Sequence, residues 1–210
     1  MQQLRLKNLR ETKEKISKSV NWEVLIIDSV SRIDILEESK KKLDIILQRW
    51  TSYFFPEHLG LSPKELLKKK PKSEMGAELK SDDISRIKDY IKQRDLTSMI
   101  IKKEHSYLKK VLEKETHHLI KVTSPYLVAK LIDYAGNLER LAMSTSSKIQ
   151  VFGAEKSLFR HLTQGTASPR FGILFLDDSI RTSKDPGKAA RALASKIMIA
   201  SRQDFFKKKD

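Results

Sequence analysis

A chain of 210 residues that is 39% hydrophobic and 33% charged can build one or two ordered domains, and is expected to be soluble and largely helical rather than disordered. Lys and Arg outnumber Asp and Glu by 42 to 27, and the formal charge of +15 favours a polyanionic partner; nucleic acid leads, with a merely basic ribosome-associated or soluble protein as the alternative. The absence of cysteine excludes disulfides, thiolate metal sites and a cysteine nucleophile, while charges throughout residues 1–20 and the shortness of the other apolar stretches speak against a signal peptide or a membrane span.

Residues 1–20 hold six Lys or Arg and two Glu, with Leu4, Leu9, Ile16 and Val20 too scattered to cover a core, and are expected to form a basic lead-in or frayed helix. A long helix is predicted from Asn21, an N-cap candidate followed by Glu23 and Asp28, to about Phe55. Its apolar residues fall into a heptad register, with Ile26, Ile33, Leu47 and Phe54 at one seam position and Leu36, Leu43 and Trp50 at the other. A seam two positions wide is what a coiled coil needs to keep its knobs toward a partner. Lys40 interrupts it, either setting register or snorkelling past.

Pro56, Gly60, Pro63, Pro71 and Gly76 punctuate residues 56–81, which also carry Lys68, Lys69, Lys70 and Lys72, and this stretch is expected to be the loop at a hairpin tip. Heptad spacing resumes at Ile84, Ile87, Ile91, Ile101, Leu108, Leu112 and Leu119, with Arg94, Ser98 and His105 inside the seam. The fold class expected is therefore all-α, with a long antiparallel coiled-coil arm over residues 21–120. Such a hairpin buries little apolar surface for its length, so it is expected to self-associate, with Ile33, Leu36, Leu43, Leu47 and Trp50 as the dimerisation residues. Ser124-Pro125 marks a break, after which Leu127, Val128, Leu131, Ile132 and Leu138 share a helical face and open a compact module. Its later part, residues 151–210, carries a net charge of +6, and Phe171 to Leu176 has the apolar content of a strand without an obvious partner.

The run from Ile149 to Leu162, IQVFGAEKSLFRHL, resembles the signature of the Nop domain of box C/D ribonucleoproteins. Gly187 to Ala194 (GKAARALA) and Ile199 to Asp204 (IASRQD) resemble the closing helices of that family, and Ala129 to Ile132 with Ala135 to Leu138 resembles its opening helix. Gln48 to Glu57 (QRWTSYFFPE) is similar to the end of the family's first coiled-coil helix. The likeness covers residues 21–207, with the Nop domain at 121–207 and a short tail at 208–210. Two departures stand out: Met143 to Lys148 lacks the proline usual before the signature, and Phe171 stands where the family often has a histidine.

The resemblance implies a non-catalytic scaffold that grips kink-turn box C/D RNA jointly with a small ribosomal-protein-like kink-turn binder and supports guided 2′-O-methylation of RNA. It needs no cofactor of its own, because catalysis belongs to fibrillarin, which uses S-adenosylmethionine. An archaeal member would be cytoplasmic and a eukaryotic one nucleolar. Archaeal members carry an additional N-terminal domain that holds fibrillarin, and Met1 lies near where that domain would stop, which leaves the fibrillarin contact open. The same observation raises a second reading, a shortened paralogue that pairs through its coiled coil with a full-length family scaffold.

Read as chemistry, Lys156 and Arg160 are four apart and share a helix face, with His161 beside them and Arg170 beyond a turn. Lys188 and Arg191 form a second set with Lys196 roughly aligned. Such charges suit phosphates, and Arg and His also stack on unpaired bases; spacing alone leaves a solvated face as the ready alternative, and the resemblance favours RNA. Gly153 and Ala154 offer close approach of RNA or protein at a helix start, with Glu155 as a structural acid there, while Arg202 suits either a partly buried pair with Asp204 or Glu155 or an RNA contact. His105, His117 and His118 lack the spacing of metal ligands, and neither a phosphate-cradling loop nor a nucleophile elbow is present.

Overall fold

The computed structural model describes residues 2–69 and 73–207, and Lys70, Lys72, Lys208 and Lys209 of the basic stretches read above lie outside them. In chain order the helices are α1 (Gln2–Ser19), α2 (Trp22–Phe54), α3 (Pro63–Lys69), α4 (Ser81–Glu115), α5 (Leu119–Val122), α6 (Pro125–Ala135), α7 (Leu138–Met143), α8 (Ser146–Gln150), α9 (Glu155–Gln164), α10 (Asp178–Arg181) and α11 (Pro186–Phe206). Short 3-10 turns occur at Pro56–His58 and Ile173–Leu176, and there is no strand among the described residues. No described helix is long and apolar enough to cross a membrane. The chain folds as two units, Arg32–Glu104 and Met1–Ser31 with His105–Asp210, so α2 and α4 each pass from one unit into the other.

The Arg32–Glu104 unit is an antiparallel helical hairpin. Arg32 meets Glu104 at 3.6 Å, the Arg94 Nε donates to Asp44 at 2.8 Å, and Trp50 packs edge-on against Tyr90, so each step forward along α2 is matched by a step back along α4. Leu47, Ile87 and Ile91 form its apolar cluster, with Trp50, Phe54, Leu67, Leu79 and Tyr90 packed around them. Ile33, Leu43 and Leu47, expected to carry dimerisation, are buried within this one chain, and Leu36 and Trp50 are half-buried. The large hydrophobic side chains left exposed on this unit's long helices, among the described residues, are Ile35, Ile45, Tyr53, Leu96, Met99 and Ile100.

The stretch expected as a plain loop at 56–81 is more ordered than that. Leu66 of α3 is buried, and Glu57 accepts from the Ser73 hydroxyl at 2.5 Å and from the Glu74 and Met75 amides at 2.9 and 2.8 Å. Those bonds, with the Ser73 hydroxyl first, draw the Glu57 carboxyl down to about 2. Gly76 passes so close to the Phe54 carbonyl that a Cβ there would overlap it.

In the other unit Asn21 caps α2, its side chain accepting from the Val24 amide at 2.9 Å. Glu23 accepts from the Leu138 amide at the start of α7. The core is made by α6, whose Leu127, Val128, Leu131 and Ile132 are fully buried, each worth about 1.5–3 kcal/mol of hydrophobic stabilisation. Ser124 caps this helix and Gly136, at φ +92°, ends it in the left-handed region. Long α11 lies against α5, α7 and α8 with a stripe of small residues, Gly187, Ala190, Ala194, Ala200 and Ser201, that lets backbones approach closely. From α11 the buried Asp204 accepts from the His118 and Leu119 amides at 2.8 Å each, satisfying donors at the start of α5.

Phe171 to Leu176 is not a strand. Gly172 and Ile173 donate to the Gln150 and Phe152 carbonyls, Leu174 is buried in the 3-10 turn, and Phe171 stacks on Phe175 at 4.9 Å. The apolar residues are there to pin a turn onto the end of α8.

Candidate nucleic-acid interface

The turn between α8 and α9 sets up the site. Gly153 has φ +79°, and a Cβ on it would run into Ile173, so the position demands glycine on both conformational and steric grounds. Its amide donates to the Glu155 carboxylate at 2.8 Å, which ties the turn to the first residue of α9. Ala154 precedes that helix, its carbonyl accepting from the Leu158 amide.

Helix α9 buries none of its residues. Lys156 and Arg160 are exposed one turn apart on one side. Phe159 and Leu162, 66% and 74% exposed, form an apolar ridge with Leu158 on the adjoining side. In the sequence the only signal of this ridge is the 158, 159, 162 spacing on a helix whose remaining residues are polar or charged. His161 is turned by helix geometry away from the Lys156–Arg160 side, and its ring nitrogen meets the Thr166 carbonyl. It steadies the 165–170 loop together with Gly165, which caps α9 at φ +66°.

Arg170 is exposed at the end of that loop. Gln150 donates to its carbonyl at 2.5 Å, and its side chain runs alongside Gly187 at the start of α11. On α11, Lys188, Arg191 and Lys196 are exposed. Asp185 caps the helix by accepting from the Lys188 amide at 3.0 Å; that bond, with the charges of Arg191 and Lys188, holds its carboxyl below the usual range. The structure thus brings Arg170 to the Lys188 end of α11, while Lys156 and Arg160 stand on α9. Arg202 pairs with neither acid proposed for it: its Nε donates to the Ala142 carbonyl at 3.1 Å, Asp204 is engaged by α5, and Glu155 by Gly153.

A family model described as Nop, snoRNA binding domain, fibrillarin, matches residues 26–210. An uncharacterized NOP5 family protein of Methanocaldococcus jannaschii is 32% identical over 214 residues, covering 86% of this chain and 52% of that protein. Nucleolar protein 56 of Bos taurus is 27% identical, covering 87% and 37%, and nucleolar protein 58 of Neurospora crassa is 26% identical, covering 87% and 36%. The chain spans about half of the length of the first of these curated relatives and little more than a third of the other two. A crystal structure of a fibrillarin/Nop5p complex superposes with a TM-score of 0.57 over 98% of this chain and 70% of that one; at 24% identity the likeness is one of fold.

Proposed function

The chain belongs to the Nop family, and on that premise we propose that it is an RNA-binding scaffold of a box C/D guide ribonucleoprotein. In this reading it recognises kink-turn RNA jointly with a small ribosomal-protein-like kink-turn binder and supports guided 2′-O-methylation without performing it. The observation that carries the reading is α9, which sets the cations Lys156 and Arg160 beside an unburied ridge of Phe159 and Leu162. Cations alone suit phosphate, and an apolar ridge alone suits protein; one helix offering both suits a ligand made of RNA and protein together. Arg170, Lys188, Arg191 and Lys196 extend the phosphate-binding surface, and Gly153, Ala154 and Glu155 hold α9 at the place of close approach.

The test is a gel-shift titration of a box C/D kink-turn RNA at fixed salt, with and without the small binder. A supershift that requires the binder, and that is lost in K156E/R160E with helicity intact, supports the proposal. Equal binding to any RNA, with or without the binder, sinks it. A methylation assay of guide RNA with this chain alone should be blank, because catalysis is assigned to a separate fibrillarin.

Ile35, Ile45, Leu96, Met99 and Ile100 leave the Arg32–Glu104 hairpin with apolar surface for a second copy or for a full-length relative. Sedimentation equilibrium that finds only monomer at micromolar concentration, alone and with a co-expressed relative, removes both forms of pairing.

A further inference from the structure

Helix α1 takes no part in the site above. Its Leu6, Leu9 and Ile16 are 57–59% exposed and the following Val20 is 48% exposed. With Lys13 among them, these residues run 6, 9, 13, 16, 20, the alternating three and four of a coiled-coil seam. Val20 lies just beyond the helix but keeps the register, since its amide still donates to the Ile16 carbonyl at 3.0 Å. A lone helix of this length is marginal in water unless one face is packed.

The charges around the seam say what can pack there. Arg5 and Arg10 flank it and Lys13 sits at its centre, whereas Glu11 and Glu14 fall on the outer side, where Glu11 lies 4.0 Å from Lys7. A second copy of α1 does not fit. Parallel pairing sets Lys13 against Lys13, and the antiparallel sense, in which Lys13 meets Leu9 or Ile16, still offers Arg5, Arg10 and Lys13 no carboxylate at a seam or flanking position, because Glu11 and Glu14 lie on the outer side of both copies. Like charges meeting inside an apolar seam are costly. No other described helix is suited to it either: α2 and α4 bury their seams, and α9, whose residues are also unburied, is itself basic.

Nor does the face suit the other common basic-helix ligands. RNA would satisfy the cations and leave four large apolar side chains in water. A lipid surface calls for a broad apolar face, and this one is two positions wide with a lysine in its middle. We infer that α1 is a docking helix for an acidic amphipathic helix of another protein, whose heptad seam packs on Leu6, Leu9, Ile16 and Val20 and whose carboxylates face Arg5, Arg10 and Lys13.

The probe is a labelled synthetic helix of about three heptads, with Leu and Ile in the seam, Glu on both flanks and a Glu placed opposite Lys13, titrated by fluorescence anisotropy against the full chain. It should bind about tenfold or more tightly than a peptide of the same composition with the heptad spacing scrambled. L9Q/I16Q and, separately, R5E/R10E change exposed residues only; each should remove that preference with the circular dichroism spectrum unaltered. Equal affinity for the two peptides reduces the face to bulk charge and overturns the inference. So does L9Q/I16Q-sensitive retention on phosphatidylserine vesicles, or R5E/R10E-sensitive binding of a single-stranded RNA with no preference between the peptides.

Discussion

Asp204→Ala tests whether a carboxylate from α11 holds α5 in place. Asp204 is 5% exposed, and its two oxygens take the His118 and Leu119 amides at 2.8 Å each. The His118 ring Nδ1 lies 2.7 Å from the same carboxylate, and the Nδ1–H tautomer donates to it while Nε2 faces the Lys207 ammonium at 3.4 Å. Removing the carboxylate orphans two backbone donors, and a buried unsatisfied donor costs about 1–3 kcal/mol. The His118 side chain is 24% exposed, so water reaches this corner and satisfies its ring. Taking the lower half of the range for each backbone donor gives a loss of about 2–4 kcal/mol, or a fall in Tm on the order of 10 °C for a chain of this size. Thermal and urea unfolding followed by far-UV circular dichroism read it directly. Asp204→Asn keeps one acceptor oxygen and should fall between wild type and Asp204→Ala. A loss below about 0.5 kcal/mol, the scatter of ordinary surface substitutions, would refute the argument that these donors depend on Asp204.

Further outcomes follow from other parts of the molecule. If Lys156 and Arg160 both contact phosphate, K156E/R160E lowers the slope of log affinity against log salt by about 1.4–1.8 in magnitude, and an unchanged slope removes them from the interface. Gly172→Ala drives a Cβ into the Phe152 carbonyl and should cost about 1–3 kcal/mol, while Gly60→Ala, with open space around it, should stay within about 1 kcal/mol of wild type in urea titrations. The Glu57 tie carries a lowered pKa, so its contribution is complete above the usual 4.5 and is lost as pH falls through about 2. The Glu74 and Met75 amide resonances should titrate with a midpoint near 2, and a midpoint near 4.5 would mean that the carboxylate does not hold them.

The paired long helices could be read from the sequence because heptad spacing is a property of one helix and survives whatever partner fills it: Ile26, Ile33 and Leu47 are buried as the register requires. The same property does not name the partner; within this chain Ile87 and Ile91 of α4 pack on Leu47 of α2. On α1, Leu4 falls off the seam and Leu6 on it, so the alternating spacing of three and four, with Lys13 at its centre, emerges only when Leu6 is counted. Apolar density misled at Phe171 to Leu176, where Gly172 and the Phe152 carbonyl pin a turn. On the candidate site, the exposure of Lys156 with Arg160 follows from four-residue spacing, whereas the diversion of His161 to Thr166 depends on a loop whose path no local pattern specifies. The caps at Asp204 and Glu23 bridge 85 and 115 residues, and a side chain that serves so distant a backbone leaves no periodic trace.

The division of the chain bears on the order in which it folds. Residues 32–104 are an insertion within a unit whose first segment ends at Ser31 and whose second begins at His105. During synthesis Glu23, Ile26 and Val30 leave the ribosome long before Leu138, whose amide Glu23 will cap. The inserted hairpin draws its apolar cluster from its own helices and can assemble first, and its closure shortens the effective loop between Ser31 and His105. Contacts separated by more than a hundred residues then form as though they were local, which lessens the loop-closure entropy that makes such topologies slow.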